Sequence, residues 1–295
     1  MDLLSLAAAN ALVGNPLWVP ALEFMFVGGE YELRAEAGHV AVTGGSFPVF
    51  RNGERLSAFR SIRLVRGDAL RVGAAQDAVW GYLAVAGGFV VPPQLGSAST
   101  HVRSGIGGLM GRALEVGDAV PLGRDWLDRV DHGRERALYV RRRPPMDPAI
   151  QVVLGPQDDY FEPASIEAFL SHEFSVTHRM DRMGYNLAGP RLSHAWGADV
   201  VSDGVVAGSI QVPGSGQPVA LLADCQPTGG YPKIATVVSA DLGRLAQTRP
   251  GSAVRFRAVT VEEAHRARLD FLERIEGLPR QVTPVPFDHA LRVPA

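Results

Sequence analysis

The chain has 295 residues, 46% of them apolar and 20% charged, with a net charge of −2 and a sequence pI of about 6.5. This is enough apolar chain for about two packed domains and excludes a disordered protein. It also excludes a basic field of the kind that holds nucleic acid or an acidic membrane surface. The single cysteine, Cys225, excludes an intrachain disulfide and fits a reducing cytoplasm. No apolar run is long enough to span a bilayer.

Residues Leu3 to Val13 are apolar and Ala-rich without a positive flank, so they read as an amphipathic or buried helix running up to Gly14, not a signal peptide. Glycine (33 residues) and proline (21 residues) are abundant, so most of the chain reads as short strands and turns. Tyr31 to Glu36 alternates with period two, and Phe50 to Arg55 carries an Asn-Gly hairpin turn. Further strands are expected at Ser61–Val65, Leu70–Gly73, Val79–Val85, Ala137–Arg141, Ile150–Leu154, Phe174–Thr177, Val205–Val212, Val219–Ala223 and Val254–Val259. In the last, Val254 and Phe256 should face opposite to Arg255 and Arg257. Helices are expected at Pro163–Ser171, at Ala240–Gln247, and from a Thr260-Val261-Glu262-Glu263 capping box to about Gly277. A Gly-led turn feeding a strand recurs at Arg66–Val72, Val116–Leu122 and Pro250–Phe256, which suggests related β modules. Prolines in Arg141–Pro148 mark a linker, and the chain divides near residue 143, into 1–143 and 144–295.

The densest glycine–aromatic stretch, Gly229-Gly230-Tyr231-Pro232-Lys233, holds the only lysine among 29 lysine and arginine residues. A lysine kept in such an Arg-biased chain points to a need for a compact ammonium. The apolar run before it ends in Asp224, Cys225, Gln226, Pro227 and Thr228, a strand delivering polar groups into a glycine turn. Gln226, Thr228 and Lys233 could hold an amide, a carboxylate or a carboxyphosphate-like group, with Gly229 and Gly230 letting a ligand approach the backbone. Ser99 to Arg112 places four glycines beside His101, Arg103 and Arg112, either an anion-binding loop or a plain surface loop. It is not a dinucleotide fingerprint, since Met110 stands where a third glycine would be. Arg182 either pairs with a carboxylate or sits on a solvated strand end. Gln211, between core residues Ile210 and Val212, is either a ligand contact or an ordinary outward residue. His172-Glu173 lacks a second histidine for zinc, there is no Gly-x-Ser-x-Gly elbow, and a lone cysteine such as Cys225 is usually inert.

The strings Gly208–Pro213, Gln217–Asp224 and Thr228–Ala235, with the segments around Arg182–Tyr185 and Ser104–Gly108, resemble the signature of the biotin-dependent carboxyltransferase / allophanate hydrolase subunit 2 family. The resemblance runs from Asp2 to about Glu263. It implies a mainly β fold of two cyclophilin-like β-barrel domains with a few helices. Free-standing members are similar to the C subunit of 5-oxoprolinase, also described as KipA-like, and the resemblance therefore implies one component of a hydrolase. Such a component opens 5-oxoproline to L-glutamate at the expense of ATP, only with an A subunit and a KipI-like B subunit in a hetero-oligomer. ATP would be bound with those partners, and nothing in the chain resembles a biotinyl-lysine motif. Other members serve urea carboxylase or allophanate systems, or antagonise a kinase inhibitor. By the same resemblance, catalysis would fall to Lys233, Gln226 and Thr228, with Gly229, Gly230, Tyr231, Gln211, Arg182, Arg103 and His101 binding a small amide substrate. It also implies that Met1-Asp2-Leu3 aligns inside the first domain, so that either the start is assigned late or a first strand is missing, and that Pro227 replaces a common Thr.

Overall fold

The computed structural model describes residues 1–123, 135–138 and 148–285. The chain forms two compact units, one of Leu3–Arg141 with Ile275–Ala295, the other of Met1–Asp2 with Arg142–Arg274. The sequence's linker, Arg141–Pro148, lies outside the described residues apart from Pro148.

The first unit opens with α1 (Leu3–Leu12), ended by Gly14 in a left-handed conformation (φ 77°). It is a buried helix: Ala7, Ala8, Ala9 and Leu12 are core residues, and small side chains let strands approach it closely. The strands are β1 (Leu22–Met25), β2 (Val27–Glu32), β3 (Ala37–Thr43), β4 (Val49–Arg51), β5 (Glu54–Leu56), β6 (Ser61–Val65), β7 (Ala69–Ala74), β8 (Trp80–Val85) and β9 (Arg136–Leu138). The first eight make two four-stranded sheets, β1-β8-β3-β6 and β2-β7-β4-β5, linked where β1 runs through Phe26 into β2. Inward residues of both, among them Val42, Val49, Ile62, Leu70, Val72 and Leu83, share one core. The Asn-Gly hairpin forms as read, with Asn52 and Gly53 both at positive φ (50° and 86°) between β4 and β5. The alternation at Tyr31–Glu36 does not persist as a strand, because β2 ends at Glu32 and the chain turns so that Leu33 N–H bonds the Asp68 carbonyl.

Two of the three recurrent turns feed strands, at Gly67 and Gly251. The third, at Gly117, leads only to an isolated bridge between Leu122 and Phe89. The turns at Gly67 and Gly117 share a device: Asp68 accepts from Val65 N–H, and Asp118 from Glu115 N–H, each at 2.8 Å.

The second unit contains β10 (Ile150–Leu154), α2 (Pro163–Ser171), β11 (Phe174–Met180), β12 (Gly184–Ala188), β13 (Asp203–Gly204), β14 (Ser209–Gln211), β15 (Val219–Leu221), β16 (Thr228–Gly229), β17 (Lys233–Val237), α3 (Leu242–Ala246), β18 (Ala253–Val254) and β19 (Phe256–Ala258). α4 (Val261–Glu276) follows, and the chain continues into α5 (Leu278–Gln281) and β20 (Val282–Pro284), which pairs with β9. One eight-stranded sheet runs β18-β11-β12-β15-β14-β17-β10-β19. Its two edge strands are consecutive, separated only by Arg255, so a single run at 253–258 draws both edges together and closes a barrel. Val254 and Phe256 enter the core while Arg255 and Arg257 stay exposed, as alternation requires. Phe256 stacks on Phe169 of α2 at 4.6 Å between ring centroids. The capping box forms in both directions, with Thr260 N–H to Glu263 Oε2 at 2.8 Å and Glu263 N–H to Thr260 Oγ1 at 3.2 Å. The architecture is mainly β with few helices, and no helix among the described residues is long and apolar enough to cross a membrane.

Candidate functional site

The expected strand Val205–Val212 shrinks to β14. Gly208, at φ 102°, breaks it, and its N–H bonds the Leu221 carbonyl. The shortening matters because β14 then meets β17 through a register shift. Ser209 pairs with Thr236 and Ile210 with Ala235, but Gln211 pairs with Lys233, leaving Ile234 as an extra residue. Without that bulge Gln211 would lie opposite Ile234, and Lys233 would point to the other face. The bulge sets the amide and the ammonium side by side. Gln211 is therefore no outward residue: it is 3% exposed, and its Nε2 donates to the Tyr231 carbonyl at 3.4 Å.

Lys233 is 2% exposed, among the most buried large side chains of the chain. Its Nζ donates to Asp203 Oδ2 at 2.8 Å, and the Asp203 side chain is 54% exposed. Gln157 completes a closed ring. Its Nε2 donates to the same Oδ2 at 3.1 Å, its Oε1 accepts the Lys233 backbone N–H at 3.1 Å, and its own N–H bonds the Lys233 carbonyl. Asp203 Oδ1 accepts Gly204 N–H at 2.7 Å. The Lys233 ammonium, then the Gly204 N–H and the Gln157 amide, hold the Asp203 carboxyl below the usual carboxylate range. An ammonium has three N–H donors, and Asp203 takes one. Sequence reasoning misses both Asp203 and Gln157. The signals for them are slight, the Asp203-Gly204 turn pair and the Gly155-Pro156 turn before Gln157.

A small ribbon carries Asp203 over the lysine, since β13 pairs with β16, Asp203 opposite Gly229 and Gly204 opposite Thr228. Gly229 leaves room for the Gln211 amide: an added Cβ would lie 2.4 Å from Gln211 Nε2 and push it aside. Gly230 ties the ribbon down through its carbonyl, which accepts Val200 N–H at 2.9 Å. Thr228 and Tyr231 are exposed on this face, and Gln226 is half-buried two residues before Thr228. The structure thus gathers Lys233, Gln211, Thr228, Gly229, Gly230 and Tyr231 around Asp203 and Gln157. An ammonium with donors to spare, a buried amide and an exposed hydroxyl are groups of the kind that can polarise a carbonyl or balance anionic charge.

Arg182 is not brought to this cluster. It clamps Asp224 with two bonds at 2.8 and 2.9 Å. Asp224 is correspondingly committed to Arg182. Burial pushes the Cys225 thiol up, away from thiolate character.

His101 and Arg103 belong to the first unit. His101 Nδ1 accepts Ser104 N–H at 3.3 Å, capping a 3-10 turn that contains the exposed Arg103. The glycines here serve the loop's own packing. A Cβ on Gly107 would lie 2.0 Å from the Ser99 carbonyl oxygen, and one on Gly111 2.1 Å from that of Gly105. The N–H groups of Gly105, Gly107 and Gly111 bond Val102 O, Gln94 Oε1 and Gly107 O, so they do not form a cradle for phosphate. Arg112 is bound to Asp118 at 2.7 and 2.8 Å. A cavity of about 270 Å³ lies in the same unit, lined by Asn15, Arg136 and Pro279 among others, and takes in none of the residues above.

A closed, mainly β barrel bearing a polar site on its bulged strand places the chain among cyclophilin-like barrel proteins. More closely, it belongs to the carboxyltransferase domain family, subdomains A and B, whose model matches residues 1–258. It is 36% identical to the C subunit of 5-oxoprolinase from Haemophilus influenzae over 93% of this chain and 88% of that protein. It is also 36% identical to the Escherichia coli protein of the same name, over 94% and 87%. A crystal structure of the K. lactis urea amidolyase matches with a TM-score of 0.86 at 28% identity, covering 94% of this chain and 18% of that one.

Proposed function

We propose that this chain is the C subunit of an ATP-dependent 5-oxoprolinase, working with its A and B subunits in the cytoplasm to open 5-oxoproline to L-glutamate. The observation that carries the reading is the 36% identity, over nearly the whole length of both proteins, to two relatives that bear that name. The site is consistent with it. A lactam resists water until its carbonyl is polarised. The Lys233 ammonium and Gln211 amide offer donors to the carbonyl oxygen, or to a phosphoryl group placed on it, and Thr228 lies on the exposed side. Water then adds at the carbonyl carbon, the C–N bond breaks, the ring nitrogen takes up a proton, and the phosphoryl group that ATP supplied, leaving ADP, departs as inorganic phosphate. No step involving ATP is assigned to this chain, and on this reading ATP is bound together with the partner subunits.

A second reading is favoured by the urea amidolyase likeness: the same surface would receive a carboxyl group delivered by a biotin carrier on another protein, with urea as acceptor. ATP turnover by the reconstituted complex separates the two. Turnover that rises with 5-oxoproline and not with urea supports the first reading, and the reverse overturns it.

A further inference from the structure

Asp203 is half-exposed, on a two-residue ribbon strand, yet it takes bonds from three separate donors. Two of them, Lys233 Nζ and Gln157 Nε2, converge on one oxygen. Gln157 in turn grips the backbone of residue 233 on both its N–H and its carbonyl. A buried ammonium needs a counter-charge, and a lysine side chain on its flexible four-carbon stem also wanders unless its end is pinned; the ring meets both needs. A counter-charge alone would not need the second donor on the same oxygen, nor the grip of Gln157 on the backbone of residue 233.

We infer that Asp203 is a positioning residue for the proposed reaction, with Gln157 as its brace: Asp203 fixes the end of Lys233, so that the two remaining ammonium N–H groups point at the substrate. The assignment rests on the oxoprolinase reading for its kinetic consequence but not for its geometry. Asp203 itself touches no substrate. Its carboxylate orients the lysine, and Gln157 keeps carboxylate and strand β17 in register. A charge misplaced by about 1 Å loses on the order of 100-fold in rate, so removing the pin should lower kcat far more than it raises KM.

The chain offers a direct readout, because Lys233 is its one lysine. Lysine labelled with 13C at Cε gives a single side-chain signal from the full chain, with no substrate or partner present. A pinned side chain keeps its two Hε protons inequivalent, whereas a free one averages them. In the wild-type chain two Hε shifts are expected, merging in Asp203→Ala, whose melting temperature should also fall because the 2%-exposed Lys233 ammonium loses its carboxylate. In the three-subunit complex, Asp203→Ala should lower kcat on the order of 10- to 100-fold, with KM for 5-oxoproline changed less than about threefold. Asp203→Asn, which keeps an acceptor oxygen for the ammonium, should retain the inequivalence and lose less rate. Persisting inequivalence in Asp203→Ala, or a rise in KM alone, overturns the assignment. A complex inactive toward 5-oxoproline with the wild-type signals intact would instead overturn the oxoprolinase reading and leave the pinning in place.

Discussion

Replacing Lys233 with methionine should cost activity and leave the fold intact. Lys233 is 2% exposed, so the native chain bears the desolvation of a buried ammonium against one carboxylate. Methionine has nearly the same length and fills the same space, so no cavity forms. The charge left behind is not buried: the Asp203 side chain is 54% exposed and retains Gly204 N–H and Gln157 Nε2 as donors. Breaking a buried pair is costly when the survivor stays in the dark, and here water reaches it. Lys233→Met should therefore be neutral to about 2 kcal/mol more stable, a melting temperature unchanged or raised by up to about 6 °C. The rate should fall on the order of 100- to 1,000-fold, about 3–4 kcal/mol of transition-state stabilisation. Thermal unfolding of the chain and glutamate release by the complex measure the two effects separately. A melting temperature lowered by more than about 6 °C would show that the pair holds the barrel together, and retained activity would remove Lys233 from the chemistry.

Other outcomes follow from the same geometry. Gly107→Ala and Gly96→Ala both force a Cβ onto a positive φ (76° and 78°), but only the first drives it to 2.0 Å from a backbone oxygen, while the second meets open space. Chemical denaturation should show a loss of about 1 kcal/mol for Gly96→Ala and clearly more for Gly107→Ala; equal losses would mean that the loop re-forms around the methyl. The Arg112 guanidinium, then Glu115 N–H, hold the Asp118 carboxyl at about 2, below its ordinary 3.8. The folded value is the lower one, so the pair's stabilisation is complete above about pH 4 and is lost as pH falls towards 2. Asp118→Asn should flatten that acid limb of a stability–pH curve, and an unchanged limb would contradict the pairing.

Local rules made much of the fold legible. Proline at the start of α2, the Thr260 capping box and the Asn52-Gly53 turn each specify an element within a few residues, and each forms as read. The period-two pattern also sorted Val254 and Phe256 from Arg255 and Arg257. It left Gln211 open between a ligand contact and an outward residue, and it could not show that a bulge at Ile234 of β17 would set Lys233 beside the buried amide. It likewise ran the 205–212 strand straight through Gly208. The lysine was visible as the sole exception in an arginine-biased chain, but its partners were not. Asp203 lies 30 residues away and Gln157 lies 76, and only closure of the sheet brings them together. The sequence offered Arg182 either a carboxylate or a solvated strand end; Asp224, 42 residues on, is that carboxylate.

The most direct test of the proposed function is glutamate release from 5-oxoproline and ATP by this chain assembled with its A and B subunits, compared with the same mixture lacking this chain. Glutamate and ADP formed together, and only in the complete assembly, are expected. An assembly that forms but releases no glutamate, or two subunits that release it equally well without this chain, would contradict the account.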